Sequence, residues 1–291
     1  MKADFDYHKL KNWQFPVKEH TYTEKDSILY ALGAGFTASP MDPRALDFVF
    51  EKNLKVAPTM AVVLGYPGFW MQDPASGVDW VQVVHGEQNV RIHRPLPSAA
   101  TVIGRSRVLS VTDKGEGRGA LVVFETEVSE RDTDTLLATV SQVVFCRSEG
   151  GYSTSGQPSD PFQPAKITFP DRAPDHVCNI ATREDMALVY RLSGDMNPLH
   201  ADPEIAKAAG FERPILHGLA TFAVAGHAIL KTCCDYEPER LRVMNARFSA
   251  PVYPGETIRT EIWNNGDSLC FRSSVLEREL MVLNNGYVEL A

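Results

Sequence analysis

YRLSGDMNPLHADP, residues 190–203, decides the fold because it is one half of a pair. YALGAGFTASPMDP, residues 30–43, aligns with it at an offset of 160, placing Tyr30, Leu32, Asp42 and Pro43 on Tyr190, Leu192, Asp202 and Pro203. Further along the offset becomes 156 and holds, with Pro58, Arg91, Pro95 and Thr101 on Pro214, Arg247, Pro251 and Thr257. Two successive blocks in the same order indicate a duplicated unit. Between Arg147 and His176 a run rich in glycine, serine and proline breaks every periodicity and reads as a linker. The expected organisation is therefore an N-terminal unit at 1–147, a linker at 148–175 and a C-terminal unit at 176–291.

Each unit reads the same way. A helical opening (SILYALG; REDMALVYRLSG) leads to a loop and a small helix, DPRALDFVFE or DPEIAKAAG. An apolar segment follows, PTMAVVLG in the first unit and HGLATFAVAGHAIL in the second. The latter has Leu219, Phe222, Ala223, Gly226 and Leu230 at helical spacing and is apolar or small elsewhere, which predicts a helix wrapped by protein on most sides. Runs such as GALVVFETEV, LLATVSQVVFC, LRVMNARF and ELMVLNNGYVEL have the β-branched, alternating character of an antiparallel sheet. The fold class expected is α+β, two tandem units, each a buried helix with a curved antiparallel sheet.

Composition narrows the function. The chain has 291 residues, 44% hydrophobic and 23% charged, with a net charge of −8. That suits a globular protein and argues against nucleic acid as a main partner. No apolar run is long enough for a membrane span, and neither the opening MKADFDYHKL nor the closing VELA reads as a signal peptide or a peroxisomal tripeptide. Cys146, Cys178, Cys233, Cys234 and Cys270 are odd in number and lack CxxC spacing, which predicts free thiols in a reducing compartment. The adjacent Cys233 and Cys234 read as the end of a helix.

The loop at 190–203 admits two readings. Asp195 and Asn197 are turn formers, Pro198 stiffens the backbone, and Asp202 with Pro203 caps the small helix. None of that explains His200. At offset 160 the partners of Asp195, Asn197 and His200 are Gly35, Thr37 and Pro40, so the scaffold recurs while the ionisable groups do not. That asymmetry points to one working site and one degenerate half. An aspartate and a histidine in reach of one water can move protons both ways, with Asn197 orienting them. Gly218, at the start of the long apolar helix, offers unpaired backbone N–H groups and the helix dipole to a developing oxyanion. His217 reads as a packed or capping histidine, and HGEQ at 85–88 as structural or dimer-related. The set suits chemistry beside a carbonyl; no nucleophile elbow, GxGxxG or P-loop occurs.

These stretches, with YTEKDSILYALGAG, VVHGEQ, RPLP, PILHGL and ARFSAPVYPGETIRTE, closely resemble the (R)-specific enoyl-CoA hydratases of type 2, the MaoC-like dehydratases. The resemblance runs through nearly the whole chain. It implies a double hotdog whose second unit is catalytic, and reversible hydration of trans-2-enoyl-CoA to (3R)-3-hydroxyacyl-CoA. It further implies no metal or redox cofactor, coenzyme A being part of the substrate, and a homodimer. By position, Asp195 and His200 become the catalytic pair, Asn197 their support and Gly218 N–H the thioester-oxygen donor. The first unit would give acyl-chain space, with GYPGFWM either lining it or in the core. A first-unit glutamate is implied, for which Glu51 is the candidate against a plain surface charge. Arg247 would meet coenzyme A phosphates or share a structural role with Arg91. The cytoplasm is the expected location, or a peroxisome in a eukaryote. Rival readings are a hotdog acyl-CoA thioesterase, a non-catalytic acyl-CoA module, and a dehydratase for a specialised hydroxyacyl-CoA.

Overall fold

The computed structural model describes residues 5–36, 42–163 and 166–291. Thr37 and Pro40 lie outside the described residues, so their contrast with Asn197 and His200 stands on sequence alone. The first half contributes strands β1 (Lys18–Tyr22), β2 (Val83–Ile92), β3 (Ala100–Asp113), β4 (Ala120–Glu130) and β5 (Leu136–Cys146). The second contributes β6 (His176–Ala181), β7 (Leu241–Phe248), β8 (Thr257–Asn264), β9 (Ser268–Val275) and β10 (Leu280–Leu290). All ten join one sheet in the order β1-β3-β4-β5-β2-β7-β10-β9-β8-β6. Every neighbouring pair is antiparallel. The halves meet where β2 pairs with β7. Alternation along β4 shows why the strands face as they do: Val122, Phe124 and Val128 are buried, with more accessible residues between them.

Among the described residues six helices decorate the sheet: α1 (Tyr7–Lys11), α2 (Glu24–Gly33), α3 (Pro43–Leu46), α4 (Met186–Tyr190), α5 (Pro203–Ala208) and α6 (Gly218–Cys233). The caps expected from the DP pairs are present. Asp42 accepts the Arg44 N–H at α3, and Asp202 accepts those of Glu204 and Ile205 at α5, each ahead of a proline. Helix α6 is 16 residues long and buried without interruption from Ala220 to Leu230. It ends on Cys233 with Cys234 as its cap, and all five cysteines are free thiols.

One expectation fails. Among the described residues the first half has no long helix: PTMAVVLG forms only a 3-10 turn at Pro58–Val63. Glycines and prolines at 65, 67, 68, 74 and 77 explain the break. Gly65 has φ 59°, and a Cβ on Gly104 would lie 2.1 Å from the Gly65 carbonyl oxygen, so two backbones cross where no side chain fits. The chain then reaches β2 through short 3-10 turns. As a result α6 serves both halves, and one core gathers Tyr30, Phe36, Phe48 and Met60 with Tyr190, Phe222, Leu230 and Phe271.

A second cluster holds Tyr7, Leu10, Trp70, Met71, Phe124 and Tyr152. Trp70 and Met71 of GYPGFWM are therefore core, whereas Phe69 is exposed and packs edge-on to Trp80 at 6.2 Å. The start of the 148–175 stretch is fastened to the first half. Asp113 accepts the N–H groups of Gly115, Gly151 and Ser153, while Asp160 accepts from Tyr7, Lys11 and the Val111 N–H. Among the described residues no helix is long and apolar enough to cross a membrane.

Candidate active site

The loop after α4 is built by its own side chains. A 3-10 turn at Arg191–Ser193 leads to Gly194 at φ 127°. Asp195 Oδ1 then accepts the Asn197 N–H at 3.2 Å, and Asn197 Oδ1 accepts the Leu199 N–H at 3.0 Å. Pro198 opens a single turn that ends on His200. The turn-forming reading of Asp195 and Asn197 is thus correct for the backbone, and the turn carries the His200 side chain inward. His200 is buried, and its Nδ1 lies 2.9 Å from the Ile215 carbonyl oxygen. A carbonyl only accepts, so Nδ1 carries the proton and Nε2 keeps its lone pair.

His217 is packed and makes no helix-capping bond. Its Nε2–H donates to the Asp195 backbone carbonyl at 3.1 Å, and its ring stacks on His200 at 3.7 Å and 27°. The buried His217 Nδ1 has no bonding partner among the described residues. Burial lowers the His200 pKa, opposed by the Ile215 carbonyl and the Asp195 carboxylate. Burial and the neighbouring His200 bring His217 down to about 4. Both imidazoles are neutral at pH 7.

Gly218 is the first residue of α6 and is exposed. The Gly218 N–H therefore stands at an accessible helix end with no capping side chain, where the unpaired first-turn amides and the helix dipole favour an anion. A Cβ at Gly218 would lie 3.3 Å from the Phe248 ring, a contact that any larger residue would have to displace.

The first half contributes what the sequence did not assign to the site. The His85 ring meets Phe248 edge-on at 4.7 Å, and the Asp195 carboxylate acts through space on both His85 and the Tyr66 phenol. His85 keeps some accessible surface, yet its dense surroundings pull its pKa to about 4. Glu87 Oε1 accepts from Arg247 Nε at 2.8 Å and Nη2 at 2.6 Å across the β2–β7 seam. Arg247 is thus held by a carboxylate, in keeping with its structural alternative, and Arg91 likewise crosses the halves to Glu289 at 3.4 Å. HGEQ splits in two: Glu87 is a tie between halves, while His85 faces the catalytic loop. Glu51 sits on an exposed turn after α3 with no bond to the residues of this loop. Tyr66 lies in the GYPGFWM run singled out for the acyl-chain space, but no local signal places it or His85 beside the loop of the other half.

Asp195, His200 and His217 offer ligand atoms that all lie within 4.8 Å of one another. A metal lies in the plane of each imidazole that binds it, and two rings stacked 3.7 Å apart and inclined by 27° cannot aim lone pairs at one nearby point.

Comparison with known proteins agrees in both halves. The MFE-2 hydratase 2 N-terminal domain matches residues 20–148, and the MaoC like domain matches residues 165–285. The peroxisomal enoyl-CoA hydratase 2 of Arabidopsis thaliana is 38% identical across 99% of this chain and 96% of its own. The chain belongs to the MaoC-like, type 2 enoyl-CoA hydratase family. A further relative of these hydratases, the 3-hydroxyacyl-thioester dehydratase Y of Mycobacterium tuberculosis, is 37% identical over 92% of both chains. The crystal structure of a MaoC-like dehydratase from Phytophthora capsici superimposes with TM-score 0.85 at 33% identity, covering 98% of each chain. The fold is the double hotdog of this hydratase family, and among the described residues the long helix is found in the second unit alone.

Proposed function

We propose that this chain is a hydro-lyase that adds water reversibly to trans-2-enoyl-CoA, giving (3R)-3-hydroxyacyl-CoA. One observation carries the reading: a neutral His200 with its Nε2 lone pair free stands beside the Asp195 carboxylate, near the open amide end of α6 at Gly218. The sequence-similar hydratases and dehydratases described above support it.

Two acceptors and one water define the chemistry. Asp195 and His200 Nε2 accept hydrogen bonds from the two hydrogens of the water, leaving its oxygen lone pair free to attack C3; one proton passes to the pair as the C3–O bond forms, and the other stays on the product hydroxyl. As the C3–O bond forms, the double-bond electrons move onto the thioester oxygen, where the Gly218 N–H stabilises the enolate. The tautomer of His200 refines the expected proton delivery. Nε2 begins as an acceptor, so the proton reaching C2 is one the Asp195–His200 pair has just taken from water. Collapse of the enolate onto C2 with that proton balances the addition. Asn197 holds Asp195 in place through its N–H, and no step calls for a metal or redox cofactor.

On this reading residues 176–291 form the catalytic unit. The first unit, lacking the long helix, gives acyl-chain space, and 148–175 joins the two. The five unpaired thiols suit a reducing compartment, the cytoplasm or, as for the Arabidopsis relative, a peroxisome. A homodimer would use surfaces other than the β2–β7 seam, which a single chain already completes; sedimentation velocity checks it.

The functional test follows the loss of conjugated thioester absorbance from crotonyl-CoA, with a thiol reagent in parallel and chiral analysis of the product. Fading without thiol release and a (3R) product support the hydratase. Thiol release would move the chain to the thioesterases.

A further inference from the structure

Two guanidinium groups approach a single aromatic ring beside the catalytic loop. Arg213 and Arg278 each lie 5.1 Å from the centroid of the Tyr253 ring. The arrangement is built from below by Glu256, only 5% exposed, which accepts from Arg278 Nε and Nη2 and from the Tyr253 N–H. Arg278 also donates to the Pro251 carbonyl at 2.7 Å, so its charge and its donors are largely spent within the protein. Arg213 differs. Its Nη1 donates to the Pro254 carbonyl at 2.9 Å, which with the Tyr253 face fixes the side chain, yet it has no carboxylate partner among the described residues.

An exposed guanidinium that is held in place and left without a counter-charge is a prepared anion site. Its location identifies the anion. Arg213 stands five positions before Gly218, so at most roughly 18 Å of chain separates them. The intervening segment also holds both ends of the site in register: Ile215 bonds His200, and the Leu216 N–H donates to the Val252 carbonyl beside Tyr253. A pantetheine arm whose thioester oxygen rests at Gly218 has the reach to bring its nucleotide phosphates to Arg213.

We infer that Arg213, seated on Tyr253 and backed by Arg278, is the subsite for the phosphates of the adenosine 3′,5′-bisphosphate end of coenzyme A. The inference rests on the hydratase reading for the acyl end but is recognised by separate chemistry. Arg213 Nε and Nη2 remain to form charge-assisted bonds to phosphate oxygens, while Arg278, neutralised by Glu256, fixes the Tyr253 ring on which Arg213 rests. Arg247, the candidate from sequence, is committed to Glu87 and is not part of this subsite.

The experiment compares Arg213→Ala with the unaltered protein on crotonyl-CoA and on crotonyl-pantetheine, and titrates both with adenosine 3′,5′-bisphosphate by calorimetry. The expected result is a KM for crotonyl-CoA raised on the order of tenfold to a hundredfold, with a much smaller change on crotonyl-pantetheine. The bisphosphate affinity should fall in parallel, and Tyr253→Leu should weaken it as well. Equal losses on both thioesters, or an unaltered bisphosphate affinity, would overturn the assignment. Inorganic phosphate or 5′-AMP binding as tightly as the bisphosphate would reduce the subsite to a generic anion site and overturn it too. If the unaltered protein turned over neither thioester, the hydratase reading alone would fall, and the bisphosphate titration would still decide the subsite.

Discussion

Asn89 on β2 lies directly opposite Asn245 on β7, and the two are equivalent positions of the repeat, 156 residues apart. An antiparallel pair centred on equivalent residues is the signature of a local twofold axis, which passes between the two asparagines. The axis relates Pro58, Ile92, Pro95 and Leu96 to Pro214, Phe248, Pro251 and Val252, residues around Gly218 and the loop that holds His200. The first four line a cleft of about 170 Å³ whose only charged neighbours are Lys55 and Glu239. That cleft is the first half's counterpart of the active site, its walls kept apolar, and among the described residues no pair like Asp195 and His200 lines it.

The chemistry should therefore fail when the pair at the other end of the axis is broken. Asp195→Asn keeps an acceptor for the Asn197 N–H, so the turn survives while the negative charge goes. Hydration of crotonyl-CoA should fall by on the order of 10²–10⁴, mainly in kcat. His200→Gln should fall within the same range. Steady-state kinetics decide it; near-normal turnover in either variant would remove that residue from the mechanism.

The same pair makes a spectroscopic prediction. The Asp195 carboxylate favours the charged form of His200, partly offsetting the lowering by burial. In Asp195→Asn that support is lost, so the His200 pKa should drop further below its ordinary value. The His200 imidazole resonance in a pH titration by NMR reports it. An upward shift would mean that the two side chains do not sense each other.

How much of this was written in the chain varies by element. The DP caps at Asp42 and Asp202, the helix through Phe222 and Leu230, and the strands at LRVMNARF and LLATVSQVVFC follow from local periodicity and capping chemistry. The pairing of the halves was implicit in the fixed offset. The truncated helix at Pro58–Val63 was missed because its four apolar residues match either a helix or a turn, and Gly65 acts only through its crossing with Gly104. Asp195 and His200 were legible since one loop carries both. The Glu87–Arg247 tie was not, because register between distant strands leaves no local mark, and the approach of His85 and Tyr66 to a loop of the other half leaves none either.

Close packing across the halves can be tested at Gly226. A Cβ there would sit 2.6 Å from Cγ2 of Thr59, which is 1% exposed and cannot swing aside. Gly226→Ala gains up to about 1 kcal/mol in helix propensity, but the clash between α6 and the first half should outweigh it. A net destabilisation of about 1–3 kcal/mol is expected. Thr59→Ser removes the offending methyl and should restore much of the loss in the double variant. Denaturant unfolding of the four proteins gives the coupling directly, and additive effects would show that the two positions do not touch.

Acid should unfold this protein well before its carboxylates are protonated. His217 and His227 are both buried, with pKa values drawn down to about 4 and about 3, chiefly by desolvation. In the unfolded chain both return to about 6.5. Between those values the unfolded state binds more protons, so stability rises with pH: it is fully present above pH 6.5 and is lost as the pH falls toward 4 and below. Each such histidine contributes up to about 1.4 kcal/mol per pH unit in that window. His227 stacks face-to-face on Phe36 at 4.0 Å, so His227→Phe keeps an aromatic ring there while removing the titrating group. Urea unfolding of the two proteins between pH 7 and pH 4 should give a shallower loss for the variant, whatever its stability at pH 7. Parallel curves would mean that His227 does not carry the acid sensitivity.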